Sequence, residues 1–296
     1  MNSVNEQKII DTHIHLWDLN KYTYDWIANS SNEKLNKNYL LENFLEDSKL
    51  LNLDKIVHVE ANINIQNNIN ESRWLQSIAD NNIKGIPNAI IGFIDLTNDR
   101  AEEEINQHIQ FSNFRGIRQI LRYDEKEKNN GLNLLENKKL INNLKLLEKN
   151  QLSFDLLIYY HQFKQAADVI AKYPYLQFII NHSLGPKNIT SENLDLWQEA
   201  IDTLSLFQNV SIKLSGFSER NTNDWNNNDI KPFIDYSIKK FSVERCMFGT
   251  NFPVDKAFSP KRYSDYWDAY YTITSHLTAE EKDNLFFKNA EKFYKI

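Results

Sequence analysis

The residues best suited to chemistry begin with two histidines in the run Asp-Thr-His-Ile-His near the start of the chain. Asp11, His13 and His15 alternate there. Because the side chains of a β-strand repeat with a period of two, we expect the three to share one face and the two imidazoles to aim at one point. Such a pair is either a set of metal ligands or a hydrogen-bonded polar pair. Together with His182 on a later strand, it supplies the three nitrogen ligands of a zinc-type catalytic site with an open position.

Polar side chains alternate in the same way on other predicted strands. The sets are His58, Glu60 and Asn62 on the second strand, Asp155, Tyr159 and His161 on the fifth, and Ser211, Lys213 and Ser215 on the seventh. On the second strand, Val57 and Val59 are then expected to face the helices. Burying so many polar groups without partners would cost several kcal/mol each, so we expect them to satisfy one another, bind a metal or bind a polar ligand. Two other histidines, His108 and His276, fall on predicted helices, where we expect surface positions.

Eight segments of the sequence are predicted to form the strands that position these groups. Short apolar or β-branched runs bounded by polar residues predict Lys8–Leu16, Lys55–Asn62, Ala89–Leu96, Phe114–Leu121, Ser153–Tyr160, Gln177–Leu184, Asn209–Phe217 and Cys246–Pro253. Stretches with helical spacing lie between them, and two more follow the last strand. The chain has only 7 glycines, so we expect asparagine to fill some positive-φ positions.

The alternation of strands and helices calls for parallel pairing and right-handed crossovers, and eight such units close a barrel. An open doubly wound sheet is the competing architecture, but it would more naturally carry a glycine-rich turn where this chain has Thr12–His15. We therefore predict an α/β fold, a single (β/α)8 TIM barrel domain over residues 1–296. Most of the polar residues fall toward the C-terminal halves of their strands, where such a barrel places its active site.

Composition narrows the class of function. The 296 residues are 41% hydrophobic and 12% aromatic, which allows a large core and is unlike a disordered chain. The net charge of −6 does not indicate a basic surface that would bind nucleic acid or an anionic membrane. Cys246 is the single cysteine, so no intramolecular disulfide forms. The sequence offers neither a membrane span nor the apolar core of a signal peptide. We expect a soluble, cytoplasmic protein whose partner is a small-molecule substrate.

The run Asp11–Asp18 resembles the opening motif of the amidohydrolase superfamily, in its amidohydrolase-2 branch, which includes sugar-acid and dicarboxylate lactonases. The likeness continues in order through Val57–Ala61, Phe114–Leu121, Asn181–His182, Lys213–Gly216 and Cys246–Asp255. The resemblance implies a TIM-barrel hydrolase, active as a monomer or homodimer. In its metal-dependent members the first-strand pair and a sixth-strand histidine, here His13, His15 and His182, bind a divalent metal. An eighth-strand aspartate binds that metal or accepts the proton of the attacking water, and some lactonases of the branch work without metal.

The chain departs from this pattern at the eighth strand, where Asn251 takes the place of the aspartate. An amide cannot act as a general base near neutral pH and is a poorer metal ligand than a carboxylate. One zinc-type divalent metal and metal-independent catalysis therefore both stay open. Asp255, four residues on, is one candidate for the base, and His182, oriented by a neighbouring carboxylate, is the other.

The favoured reaction is hydrolysis of a lactone of a sugar acid or a related carboxylic acid. The developing oxyanion needs preorganised positive charge, which we expect from His13, His15 and Lys213. The alternative for Lys213 is an interior ion pair with Glu60 or Asp155. The alternatives to lactone hydrolysis are metal-dependent amide hydrolysis, non-oxidative decarboxylation of a small carboxylic acid, and non-catalytic binding of a small acid.

The candidate substrate-binding residues each have a structural alternative. Arg118 either clamps a substrate carboxylate or bridges the strand and helix layers. Tyr159 either hydrogen-bonds the substrate or packs. The other candidates are Glu60, His58 and Trp17. His58 is either a supporting group behind the site or a core histidine, and Trp17, with Tyr24 and Trp26, forms either an apolar wall or the packing of its own loop.

Overall fold

Eight parallel strands, each paired with the next along the chain, form one sheet in the computed structural model. The structure describes residues 4–64, 68–125, 132–185, 191–218 and 224–296. The strands are β1 (Ile9–Ile14), β2 (Leu53–Val59), β3 (Ala89–Gly92), β4 (Phe114–Ile120), β5 (Ser153–Leu157), β6 (Phe178–Ile180), β7 (Val210–Leu214) and β8 (Cys246–Phe248). A parallel bridge between Ile14 and Phe252 joins the segment after β8 to β1. The sheet is a nearly closed barrel, and the predicted (β/α)8 TIM barrel is confirmed.

Helices alternate with the strands and cover the barrel. Within the described ranges they are α1 (Asp25–Ala28), α2 (Leu41–Ser48), α3 (Asn68–Asp80), α4 (Ala101–His108), α5 (Lys138–Lys149), α6 (Phe163–Ile170), α7 (Ser191–Ser205), α8 (Asn227–Phe241), α9 (Val254–Phe258), α10 (Tyr263–Ile273), α11 (Ala279–Asp283) and α12 (Asn289–Tyr294). Among the described residues, no helix has the length and apolar character needed to cross a bilayer.

Helix α5 illustrates why these segments are helical. The side-chain oxygen of Asn137 accepts hydrogen bonds from the backbone N–H groups of Lys139 and Leu140, which caps the helix start. Leu140, Leu144 and Leu147 recur at intervals of three or four residues and are buried. Burial of each of these leucines contributes about 1.5–3 kcal/mol. The cap and the apolar stripe together fix the helix against the barrel.

The side chains of β2 face opposite to the prediction. Val57 and Val59 point into the barrel, where they pack with Ile91 of β3. His58 lies on the helix side instead, and its Nε2 accepts a hydrogen bond from the backbone N–H of Leu16 at 2.9 Å. An alternating sequence has two faces, and polarity alone does not say which one is inside. The apolar residues of β2 face the interior because the barrel is packed with aliphatic side chains at this level.

Strand β1 contains a bulge that the sequence pattern did not predict. Between Asp11 and Ile14 it has one residue more than the stretch of β2 with which it pairs. The extra residue reverses the alternation of side chains. Asp11 therefore lies on the helix side, where it accepts a hydrogen bond from the Tyr263 hydroxyl of α10 at 2.9 Å. The expected common face of Asp11, His13 and His15 is wrong for Asp11.

Helix α12 closes the end of the barrel at which the strands begin. Tyr294 belongs to the interior apolar cluster, and its hydroxyl donates to Asp155 at 3.1 Å. Lys213 donates from Nζ to the same carboxylate at 2.6 Å, and both side chains of this ion pair are fully buried. Of the alternatives for Lys213, the pairing with Asp155 is therefore the one in the structure.

Strands β6 and β8 end earlier than the predicted Gln177–Leu184 and Cys246–Pro253 because the backbone turns left-handed beyond them. His182 has φ 55° and Asn251 has φ 54°. Asn62, after β2, has φ 56°. Asparagine thus takes two of the positive-φ positions, as expected from the scarcity of glycine. Non-glycine residues in this region cost about 1–3 kcal/mol and are concentrated at functional sites.

His108 is not at the surface, contrary to the prediction. It is the last residue of α4 and is fully buried, with Nδ1 3.0 Å from the Ser72 hydroxyl oxygen. Its ring packs against Phe114, with 4.9 Å between the ring centroids. The helix-face pattern missed it because a histidine that finds one polar partner can replace an apolar residue on the inner face. His276 is exposed, as expected.

Candidate active site

A cavity of about 240 Å³ opens at the C-terminal ends of the strands. Its lining consists of His15, Trp26, Ala61, Asn62, Arg118, Ile120, Arg122, Leu157, His182, Asn251 and Val254. The aliphatic and aromatic members provide apolar surface, and the histidines, the guanidinium groups, Asn62 and Asn251 provide the polar groups. None of these described lining residues has a carboxylate, so the formal charge that they carry is positive.

Four of the predicted site residues reach the cavity, and they come from four different strands or strand ends. They are His15, Arg118, His182 and Asn251. The others lie behind the cavity or away from it: His13, His58, Glu60, Lys213, Asp255, Tyr159 and Trp17. The functional roles given to these residues from sequence stay predictions.

Three imidazoles cluster at the polar end of the cavity. The ring centroid of His13 lies 4.3 Å from that of His182 and 5.0 Å from that of His15. Burial lowers the pKa of all three rings well below the ordinary histidine value. The positive charge of Arg118 acts in the same direction on each pKa. The three rings are therefore neutral at pH 7.

Arg118 is held by two hydrogen bonds to Glu60. Its Nε donates to Oε1 at 2.6 Å and its Nη2 donates to the backbone oxygen at 2.7 Å. The remaining nitrogen, Nη1, lies 3.3 Å from Nε2 of His13. Arginine has donors only, so this contact makes Nε2 of His13 the acceptor and leaves the ring hydrogen on Nδ1. Arginine has five N–H donors and these contacts use three, so Nη1 and Nη2 each keep one further N–H, and the clamping of a substrate carboxylate stays a prediction.

The orientation of His15 is fixed by the backbone of β2. Its Nδ1 lies 2.8 Å from the carbonyl oxygen of Val59, which only accepts, so Nδ1 carries the hydrogen. Its Nε2 faces Oδ1 of Asn251 at 3.2 Å. Because the ring is neutral, both of these atoms are acceptors, and the contact is not a hydrogen bond.

Asn251 is placed by contacts on both sides. Its backbone N–H donates to the carbonyl oxygen of His13 at 2.8 Å. Its Nδ2 donates to Oδ1 of Asp255 at 2.8 Å, and Oδ2 of Asp255 accepts from the backbone N–H of Ser218 at 3.1 Å. Asp255 is therefore buried behind Asn251 rather than folded back into the cavity. Its carboxylate is connected to the cavity by the hydrogen bond that the amide of Asn251 donates to it.

His182 is the histidine whose outer nitrogen is available. Its Nδ1 lies 3.0 Å from the hydroxyl oxygen of Ser215, and Nε2 makes no hydrogen bond to any residue that the structure describes. Gly216 makes room for the ring, because a Cβ built at this residue would lie 2.6 Å from Cβ of His182. The predicted orienting carboxylate is replaced by a serine hydroxyl.

The remaining predicted residues have structural surroundings. Lys213 lies beneath the histidines in its ion pair with Asp155. Tyr159 is half-buried, and its ring lies 5.3 Å from the guanidinium carbon of Arg122. Trp17 is fully buried against Trp26, with 5.6 Å between ring centroids, and only Trp26 reaches the cavity.

Arg122 is the charged lining residue that the sequence pattern did not identify. It lies two residues beyond Ile120 and four beyond Arg118, so the period-two rule applied past the end of β4 points to it. It is half-buried, and its charge is the main electrostatic cause, after burial, of the lowered pKa of His182.

The donor set does not fit a divalent metal. Of the three imidazoles, His13 already uses the lone pair of Nε2 to accept from Arg118. The other donors are neutral, and no cluster of three histidine, cysteine or acidic residues suited to a metal occurs among the described residues. Glu60 balances the charge of Arg118, so none of the described lining residues has a carboxylate left to balance a dication.

The chain belongs to the amidohydrolase family, whose Amidohydro_2 pattern matches residues 10–296. It is 35% identical over 298 residues to the uncharacterized protein y4mH of Sinorhizobium fredii, covering 97% of this chain and 98% of that protein. It is 24% identical over 212 residues to an L-fucono-1,5-lactonase of Burkholderia ambifaria, covering 70% of each. Membership of this family supports a hydrolase.

Two solved structures show the same fold at lower identity. One is an amidohydrolase of Burkholderia multivorans with bound zinc, with a TM-score of 0.83, 21% identity, and coverage of 97% of this chain and 99% of that one. The other is a probable 2-pyrone-4,6-dicarboxylic acid hydrolase of Acinetobacter baumannii with citric acid bound, with a TM-score of 0.76, 18% identity and the same coverage. The zinc of the first structure is consistent with a divalent metal in the family.

Proposed function

We propose that this protein opens the lactone ring of a small organic acid with a water molecule activated by His182. One observation carries the proposal: Nε2 of a neutral, buried His182 faces a cavity whose described lining includes two guanidinium groups and no carboxylate. A neutral imidazole accepts a proton near neutral pH, and guanidinium groups stabilise the negative charge that develops on an attacked carbonyl.

The reaction follows from these placements. Nε2 accepts a proton from water as the water oxygen bonds to the lactone carbonyl carbon. The carbonyl oxygen becomes negative near Nη1 of Arg118. The bond between that carbon and the ring oxygen then breaks, and the proton on His182 passes to the ring oxygen. The product is an open hydroxy acid, which ionises in water.

The tautomer required of His182 is compatible with its neighbour. When Nδ1 carries the hydrogen and donates to the Ser215 hydroxyl oxygen, Nε2 presents its lone pair to the cavity. Two observations favour a lactone: the distant likeness to an L-fucono-1,5-lactonase and the shared fold with a probable pyrone dicarboxylate hydrolase, since both substrates are cyclic esters.

The test is a pH-indicator screen of aldonolactones and carboxylated 2-pyrones with the wild-type protein and a His182→Gln variant. We expect hydrolysis of at least one lactone and a loss of kcat of about 10²–10⁴-fold in the variant, which is the usual contribution of a general base. The control is His276→Gln, which alters an exposed histidine. Equal rates for wild type and His182→Gln on every hydrolysed lactone would contradict the proposal.

A further inference from the structure

We infer that the guanidinium of Arg118 supplies the fixed positive charge of this site and takes the place of a divalent metal. The part that concerns metal binding stands on the contacts of Arg118 alone. The part that concerns the oxyanion rests on the proposed lactone hydrolysis.

The first step is the contact between Arg118 and His13. Nη1 of Arg118 lies 3.3 Å from Nε2 of His13. A histidine binds a metal through the lone pair of a ring nitrogen, and at His13 that lone pair already accepts from a cation. The other ring nitrogen, Nδ1, is buried and has no hydrogen-bond partner among the described residues.

The second step is the rigidity of the guanidinium. Glu60 accepts from Nε and, through its backbone oxygen, from Nη2. Glu60 also accepts from the backbone N–H of Asn62 at 2.6 Å, so the carboxylate is itself anchored. The charge of Arg118 is therefore fixed before a substrate enters, as electrostatic stabilisation of a transition state requires. Both side chains of this pair are nearly inaccessible, at 6% for Arg118 and 1% for Glu60.

The third step is the charge balance. Glu60 neutralises Arg118, while the imidazoles and the amide of Asn251 that face the cavity are neutral ligands. The family's aspartate would have contributed the negative charge that a dication needs, and Asn251 does not. Asp255 retains a carboxylate, but it lies behind the amide and is already bonded to Asn251 and to the backbone of Ser218.

Zinc titration by calorimetry, with metal analysis of dialysed protein, tests this inference without reference to activity. We expect the wild-type protein to retain no stoichiometric zinc. We expect Arg118→Met to gain one zinc site per chain, because the substitution removes the cation and frees Nε2 of His13. Arg118→Lys keeps the positive charge and should gain none.

A second variant covers a failure to fold. Arg118→Met leaves a buried carboxylate unpaired, whereas Arg118→Gln removes the cation but keeps an amide donor for Glu60, whose carboxylate stays as the negative charge that a dication needs. This second variant should also gain zinc. A stoichiometric zinc ion in the wild type that is lost in His15→Ala would overturn the inference. So would a folded Arg118→Gln variant that binds no zinc.

Activity distinguishes this inference from the proposed function. If a lactone is hydrolysed, chelator treatment of the wild type should leave kcat unchanged, while Arg118→Met should lower kcat by about 100-fold or more, as loss of an oxyanion donor does. If no lactone is hydrolysed but the zinc results hold, the proposed function fails and the metal-free assignment remains. Loss of lactone hydrolysis on chelation, restored by zinc, would contradict the inference while the function stands.

Discussion

At the residue scale, the chemistry of the site depends on which atoms are hydrogen-bonded to one another, and residue type alone does not show this. The sequence predicted that His15, His182, Arg118 and Asn251 belong to one site, and all four reach one cavity. It did not decide between the two surroundings of Lys213, because an alternating pattern gives the face of a strand and not the level within a barrel. Arg122 was missed since it lies beyond the end of a predicted strand.

Exchange of the amide and carboxylate at Asn251 and Asp255 is the first prediction. Asn251→Asp would place two carboxylates where Nδ2 now donates to Oδ1 at 2.8 Å. We expect the free energy of unfolding at pH 8, measured in urea, to fall by about 2–4 kcal/mol, as for a buried charge left without its partner. The matched control is Asn251→Asp/Asp255→Asn, which restores an amide–carboxylate pair and should recover most of the loss. No loss in the single variant would contradict the hydrogen bond.

Substrate charge is the second prediction and belongs to Arg122. Because this guanidinium lines the cavity and none of the lining residues that the structure describes is acidic, Arg122→Gln should raise KM about 10-fold or more for lactones bearing a carboxylate. KM for neutral lactones should change little. Arg100→Gln, which alters an exposed arginine, is the control. An equal effect of Arg122→Gln on charged and neutral lactones would count against this role.

At the element scale, the order and type of the strands could be predicted, but their ends and inner faces could not. The apolar runs give all eight strands, since each must be buried between helices and the barrel interior. The bulge in β1 and the left-handed turns after β6 and β8 depend on contacts between distant segments. The backbone N–H of His15, for example, donates to the carbonyl oxygen of Phe252 at 2.6 Å. The local sequence pattern does not predict a contact between segments so far apart in the chain.

The turn after β7 gives the third prediction. Gly216 has φ 73°, and a Cβ at this position would clash with His182. Gly216→Ala should therefore displace the His182 ring, lower kcat by at least about 10-fold and cost about 1–3 kcal/mol of stability. Gly85→Ala is the matched control: Gly85 also has positive φ, at 63°, but its nearest neighbour would be 3.8 Å away. Gly85→Ala should lower stability slightly and leave kcat unchanged, and an identical kcat loss in both would exclude the specific clash.

At the scale of the whole molecule, the chain buries five of its seven histidines, and this couples stability to pH. The buried rings are His13, His15, His58, His108 and His182. Burial lowers the pKa of each, to about 3 for His58 and about 4 for His108. The unfolded chain binds these protons near pH 6.5, whereas the folded chain resists them. The stabilisation that comes from keeping these rings neutral is fully present above pH 6.5 and is lost as the pH falls below that value. Asp11 and Glu71, with pKa values raised by burial to about 6 and about 8, oppose part of this effect.

His108 isolates this effect, because it lies away from the cavity. The fourth prediction concerns His108→Asn, which removes one buried ring that titrates. The variant should be less stable than the wild type at pH 7.5, but the difference should shrink by about 2 kcal/mol at pH 5, since one proton per chain is no longer excluded. Urea unfolding at both pH values measures it, with His276→Asn as the control that should not change. A difference that is independent of pH would show that His108 already carries a proton in the folded protein.

The bond from Tyr294 to Asp155 has a consequence for how the chain reaches its native state. Asp155, Lys213 and Tyr294 come from positions up to 139 residues apart, and none of the three polar groups meets its partners through local structure. During synthesis, β5 and β7 supply the Asp155 carboxylate and the Lys213 ammonium before Tyr294 has been made. The hydroxyl that also donates to this carboxylate is therefore the last of the three groups to appear. Contacts this distant in sequence slow folding, because the loops between them must close first. The buried ion pair therefore gains its third partner only when the last helix, α12, packs against the barrel.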